Sequence, residues 1–274
     1  MDQKMLHRLF SLLDDENDSV ARSAMAELLK HPDELDSQLC LLHETPDPLL
    51  RKRIHQLDAI LTLRRRRKNF VKLLKQPEID LAGGLIEIHL MWYDNDSAPA
   101  LAELTGDFAA SAEDFQTDDI FKVRDFMRAE GFATPVDGET LSPDNYCVGS
   151  VLEDRTGSEI LLCLLAMLAA LAGGGDLRLG RLLDHFLLFD GRGNWLLPAN
   201  GWETGRLSRG AAPEYWDSPR RILRYLAMQL FVSAVGSDSF RYIHTIASSL
   251  IGSDGTGTPP DDFPYPYQAE KADS

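Results

Sequence analysis

Residues 157–197 read GSEILLCLLAMLAALAGGGDLRLGRLLDHFLLFDGRGNWLL. A glycine opens an apolar run, 160–171, that closes on Gly173-Gly174-Gly175. Its length and unbroken apolarity predict a buried helix with a glycine stop. Two shorter runs, 176–183 and 185–189, predict strands. Asp190-Gly191-Arg192-Gly193-Asn194 predicts a hairpin turn, with Trp195-Leu196-Leu197 as the return strand. A buried helix followed by a short antiparallel sheet is the pattern of an α+β unit.

Working outward, nearly everything else predicts helix. After the sheet, 219–235 and 239–250 are closing helices. Before it lie helical segments at 70–74, 81–93, 98–108 and 120–130, and a short one at 147–152. Pro99 suits a first helical turn, and Gly131 suits a helix end. The first seventy residues are helical too. Leu9, Leu12, Leu13, Val20, Ala24 and Leu28 recur at helical spacing around the polar turn Asp14–Asp18, with Asp18 or Ser19 as the cap of the second helix. The pattern returns 29 residues on: Leu12-Leu13 with Leu41-Leu42, Asp18 with Asp47, Val20 with Leu49, Arg22 with Arg51, Leu28 with Leu57. It resembles short HEAT-like helix pairs, or else two plain helical hairpins. The expectation is a mostly α, α+β chain: a helical domain over 1–110, a small mixed domain over 111–251, and a tail over 252–274 with the composition of a disordered segment. Within that tail FPYPY has the form of a polyproline docking peptide.

The 274 residues, 44% hydrophobic, can build a substantial core. The apolar run 160–175 is too short and glycine-rich to span a membrane, and the N-terminus turns acidic too early for a signal peptide. Cys40, Cys147 and Cys163 form no CxxC pair and no zinc spacing, which points to a reducing cytoplasm and to no metal. Neither a phosphate-binding nor a dinucleotide glycine pattern opens a helix, so no cofactor is expected. Glu113, Asp114, Asp118 and Asp119 read as a solvated acidic patch. Asp137, Glu139 and Asp144 lack calcium-loop spacing.

The net charge of −15 opposes wholesale binding to nucleic acid or anionic membrane. Yet residues 51–68 hold eight basic side chains against the single acid Asp58. Arg51, Arg53, Arg64, Arg65, Arg66, Arg67 and Lys68 are therefore the candidate partner-binding residues. The run 64–68 circles its helix and carries no interleaved aromatics, so it fits a solvated or partner-facing end better than a groove for single-stranded nucleic acid.

One set of segments carries a resemblance. Asp154-Arg155-Thr156-Gly157 leads into the apolar helix. Asp184-His185-Phe186-Leu187-Leu188, Leu197-Pro198-Ala199-Asn200-Gly201 and Leu207-Ser208-Arg209 follow, with Met127-Arg128-Ala129-Glu130-Gly131-Phe132 before and Ser218-Pro219-Arg220-Arg221-Ile222-Leu223 after. In order and spacing, across about residues 70–250, they resemble the transglutaminase-like superfamily, in particular its bacterial SirB-type branch. The resemblance implies a thiolate at the mouth of the buried helix, a histidine base on the first strand and an aspartate on the next to orient it. Here the histidine position is His185. The cysteine position falls on Glu159 and the aspartate position on Leu197. Losing the orienting acid alone costs such a site about four orders of magnitude in rate.

Cys163 lies one turn beyond Glu159 on the same helix face and is the candidate substitute thiol, though leucines on both sides favour an inert, structural sulfur. Glu159 is the natural partner of His185, in a structural ion pair replacing the thiolate–imidazolium pair. Trp195, Trp202 and Trp216 are expected near the cleft, filling space left by the lost triad. The favoured reading is a non-catalytic transglutaminase-like protein acting as a protein-interaction or scaffold module. The alternatives are a thiol hydrolase or acyltransferase using Cys163 and His185, and a nucleic-acid-associated protein docking through residues 51–68.

Overall fold

The computed structural model describes residues 3–32, 35, 39, 45–136, 141–208, 210, 212–237 and 239–251. The chain divides into two compact units, Met1–Arg66 and Arg67–Ser274.

The first unit is helical. Helix α1 (Gln3–Ser11) ends in a single 3-10 turn, Leu12–Asp14, and α2 (Asp18–Leu28) follows. The α2 cap is neither Asp18 nor Ser19 but Asn17, whose Oδ1 accepts from the Ser19 N–H at 2.9 Å. Asn17 has the extended backbone a cap needs, whereas Asp18 already lies in the helix. Helix α3 (Pro48–Leu74) is capped in the same way by Asp47, which accepts from the N–H groups of Leu49 and Leu50. Leu6, Phe10, Leu13, Leu28, Ile54, Leu57 and Leu61 bury their side chains together. The matched pair Leu28 and Leu57 are both fully buried, but α3 runs 27 residues against 11 for α2. Leu41-Leu42 of the proposed repeat lie outside the described residues.

Arg53, expected at a partner-binding surface, is 5% exposed. Its guanidinium donates to the carbonyls of Leu13 and Asp15, each at 2.6 Å, and to Asp18 at 2.9 Å. Arg64 likewise donates to the Leu29 carbonyl at 2.7 Å. Carbonyls at helix ends lack intrahelical donors, and these two arginines supply them. The basic run is thus partly consumed in holding the helices.

The second unit is built around α8 (Glu159–Ala172), nine of whose side chains are buried, Ile160 through Ala166 among them. Helices α4 (Leu81–Trp92), α5 (Ala98–Asp114), α6 (Ile120–Ala129), α7 (Val148–Asp154), α9 (Pro219–Gly236) and α10 (Phe240–Ile251) surround it. The expected division at residue 110 is therefore not where the chain divides. Leu85, Ile88, Met91 and Phe108, from α4 and α5, enter the same core as α8. An amphipathic helix joins the unit that buries its stripe.

Beneath α8 lies a five-stranded antiparallel sheet of order β4-β3-β2-β1-β5. The strands are β1 (Arg178–Leu182), β2 (His185–Phe189), β3 (Asn194–Leu197), β4 (Glu203–Arg206) and β5 (Glu214–Tyr215). The first hairpin is tight, Leu182 pairing with His185 across Leu183-Asp184, and Leu183 takes a positive φ of 55°. The second uses the expected Asp-Gly turn: Asp190 Oδ1 accepts from the N–H groups of Arg192 and Asn194. Alternation divides the sheet's faces. Leu179, Phe186, Leu188 and Leu196 join the main core, whereas Leu187, Phe189 and Leu197 form a separate apolar cluster. Among the described residues no helix is long and apolar enough to cross a membrane.

Candidate functional site

The α8 N-terminus and the start of β2 meet at a cleft of about 360 Å³. Its walls include Ser158, Glu159, His185, Phe186, Tyr146, Asn200 and Tyr225, with Val136 and Leu141 on its rim. Glu159 stands in the first turn of α8, where a carboxylate complements the helix dipole. Its Oε1 lies 2.8 Å from His185 Nδ1, and its Oε2 accepts the backbone N–H of Phe186 at 3.1 Å. A carboxylate only accepts, so Nδ1 carries the ring proton. The imidazole is half exposed, 52% of its side chain open to solvent. The structure thus brings together Glu159 and His185, the two residues assigned to the helix mouth and first strand.

It does not bring the others. Leu197 is buried beside Leu187 and Phe189, and it does not line the cleft. Cys163 is fully buried. Its thiol donates to the Phe186 carbonyl at 3.6 Å, so it faces the strand backbone and not the opening. Burial pushes this thiol well above the ordinary range, and Glu159 adds to the effect. Cys147, also buried, is pushed up for the same reason, desolvation first and then Asp144. Cys40 lies outside the described residues. A thiol held protonated in an apolar core is a poor nucleophile.

The tryptophans are not at the cleft. Trp202 and Trp216 are 1% and 5% exposed, and Trp195 packs against Gly205, whose Cβ would meet its ring at 2.2 Å. The cleft's aromatic lining is Tyr146, Phe186 and Tyr225 instead. Burial pushes the Tyr146 phenol up to about 12, with Tyr225 contributing.

Ser158 has no counterpart in the sequence expectations. It precedes α8, it is 3% exposed, and among the described residues its hydroxyl meets no hydrogen-bond partner. The signal was present, since serine directly before an apolar run marks a helix cap. The unusual feature is that its Oγ does not cap. Asn200 and Gly201 adopt left-handed backbone, φ 56° and 69°, placing the Asn200 side chain at the rim. Arg128 fixes this turn by donating to the Gly201 and Trp202 carbonyls.

The expected acidic patch is partly structural: Asp119 accepts from the N–H groups of Phe121 and Lys122, and Asp118 pairs with Lys122 at 2.7 Å. Asp137 and Glu139 lie outside the described residues. Among the described residues no group of three or more His, Cys, Asp or Glu side chains is placed to hold a metal ion.

Chemically, the cleft offers an oriented imidazole and a carboxylate already engaged twice, with the Ser158 hydroxyl buried behind them. It offers no thiol. Compared with known proteins, the chain matches no family model, no curated protein and no solved structure.

Proposed function

We propose that this chain is a non-catalytic, transglutaminase-like interaction module whose cleft holds a protein partner. One observation carries the reading: at the helix mouth, where the superfamily resemblance calls for a thiolate, Glu159 locks the imidazole and the strand backbone at 2.8 and 3.1 Å. The carboxylate fills the place of the nucleophile, and the one cysteine within a turn of it, Cys163, is buried against Phe186. The third position, Leu197, packs in an apolar cluster. The rim supports a binding role, since Val136 is 73% exposed and Leu141 39% beside the polar floor. An apolar rim around oriented polar groups is a combination that recognises a polypeptide.

The test has two parts. Folded protein treated with iodoacetamide at mildly acidic pH should leave Cys163 unmodified, and nitrophenyl esters should show no burst of released nitrophenol. A burst that disappears in Cys163→Ser would establish the thiol enzyme instead. Cross-linking in the native host should then map a partner to the rim, with cross-links lost in Val136→Asp.

A further inference from the structure

A second cavity, of about 240 Å³, opens on the far side of Tyr225 and is lined by Arg181, Trp216, Arg221, Arg224, Tyr225, Met228 and Leu250. In a chain of net charge −15, three arginines line one cavity together with Trp216 and Tyr225. Arg221 stacks 4.0 Å over Trp216 and pairs with Glu214, and Arg181 reaches Asp184 at 3.5 Å. Trp216 and Tyr225 pack edge to face at 5.2 Å. Two of the three cations therefore have an acid. Arg224 has none among the described residues. A guanidinium at a cavity with no counter-charge favours an anionic ligand, and the aromatic walls favour a ring on it.

The chain itself contains a segment of that chemistry. Leu250 lines the cavity, and the described residues end at Ile251. Residues 252–260 (GSDGTGTPP) then lead to DDFPYPY, residues 261–267. Nine linking residues, three of them glycine, span up to roughly 30 Å when extended. We propose that this cavity receives the chain's own acidic-aromatic segment 261–267, whose two aspartates supply the counter-charge that Arg224 lacks. Prolines at 264 and 266 bias the preceding residues toward extended backbone, which lowers the entropy lost on docking. The inference is independent of the non-catalytic reading, because it uses no residue of that argument.

The experiment uses the full chain labelled with 15N. Amide resonances of Asp261, Asp262, Phe263, Tyr265 and Tyr267 should be displaced from random-coil positions. They should return to those positions in Arg224→Glu, in the double variant D261K/D262K, which leaves every described residue unchanged, and in high salt. A peptide of residues 259–268 should bind D261K/D262K and bind the native chain at least about fivefold more weakly, because the tethered segment competes. Random-coil resonances in the native chain overturn the proposal, as does a displacement that survives both variants. So does a D261K/D262K protein that binds free phosphate or benzoate at Arg224 but not the peptide, which would make the cavity a small-anion site.

Discussion

Glu159 places one carboxylate oxygen 2.8 Å from the Nδ1 of His185 and the other 3.1 Å from the backbone nitrogen of the next residue, Phe186. One side chain thus anchors the start of β2 to the mouth of α8, through both a side chain and the main chain. Removing it strands a half-buried N–H. Glu159→Ala should therefore cost about 1–2 kcal/mol in urea unfolding. His185→Ala, at an exposed ring, should cost less than about 0.5 kcal/mol. Equal costs would mean that the pair, and not the backbone bond, carries the stabilisation.

Cys147 and Cys163 should be silent toward thiol reagents until the second unit unfolds, because both are buried and both thiols are pushed upward by desolvation. Counting reacted thiols by mass spectrometry in native buffer and in urea checks this. Modification of Cys163 in native buffer, at a rate independent of urea, would contradict it.

Arg53 ties the end of the 3-10 turn to α3 through two carbonyls and Asp18. Arg53→Ala should destabilise the first unit by about 3 kcal/mol, since charge-assisted bonds in a buried site are lost and two carbonyls are left unpaired. Arg53→Lys should recover only part of that, because an ammonium does not reproduce the fork. Circular dichroism against urea reads both.

His89 gives a pH dependence. It is 2% exposed, its Nδ1 accepts the Gly149 N–H at 3.2 Å, and its Nε2–H donates to Asp96 at 2.8 Å. Desolvation lowers its pKa from 6.5, opposed by Asp96 and, more weakly, by Glu153 and Asp144. The unfolded chain therefore takes up the proton first as pH falls. Stability should be flat above about pH 6.5 and should decline through the window just below it. The difference in urea midpoint between the native chain and His89→Gln, followed from pH 8 to pH 5, isolates this residue. A native chain whose extra stability grows toward pH 5 would reverse the sign.

Gly149 sits against the same ring. A Cβ there would come within 2.6 Å of Leu101 and 2.7 Å of His89. Gly149→Ala should cost about 1–3 kcal/mol by thermal melting, the range for overpacking a filled core.

The architecture was legible wherever periodicity was long and its ends were marked. The α8 segment, the Asp190 turn and the two closing helices all follow from apolar spacing and glycine placement. The pairing of Glu159 with His185 was legible as well, because it needed only a helix mouth beside a strand end. The rest depended on tertiary contacts. Strands β4 and β5 are four and two residues long, and Glu203 or Tyr215 carries no alternation to reveal them. Arg53 reads as surface charge until α3 packs and gives it carbonyls. The division at Arg66 falls inside a continuous helix, where no glycine or proline marks it. His89, Ser158 and the three arginines around Trp216 are scattered single residues, and only the folded chain assembles them.

Burying both described thiols, Cys163 within α8 and Cys147 at the start of α7, has a consequence for oxidative stress. Peroxide attacks a cysteine as its accessible thiolate, and neither residue supplies one in the closed fold. Sulfenic acid should accumulate on Cys147 and Cys163 only as fast as the core opens, so the oxidant records breathing of the native state and not the intrinsic reactivity of either sulfur.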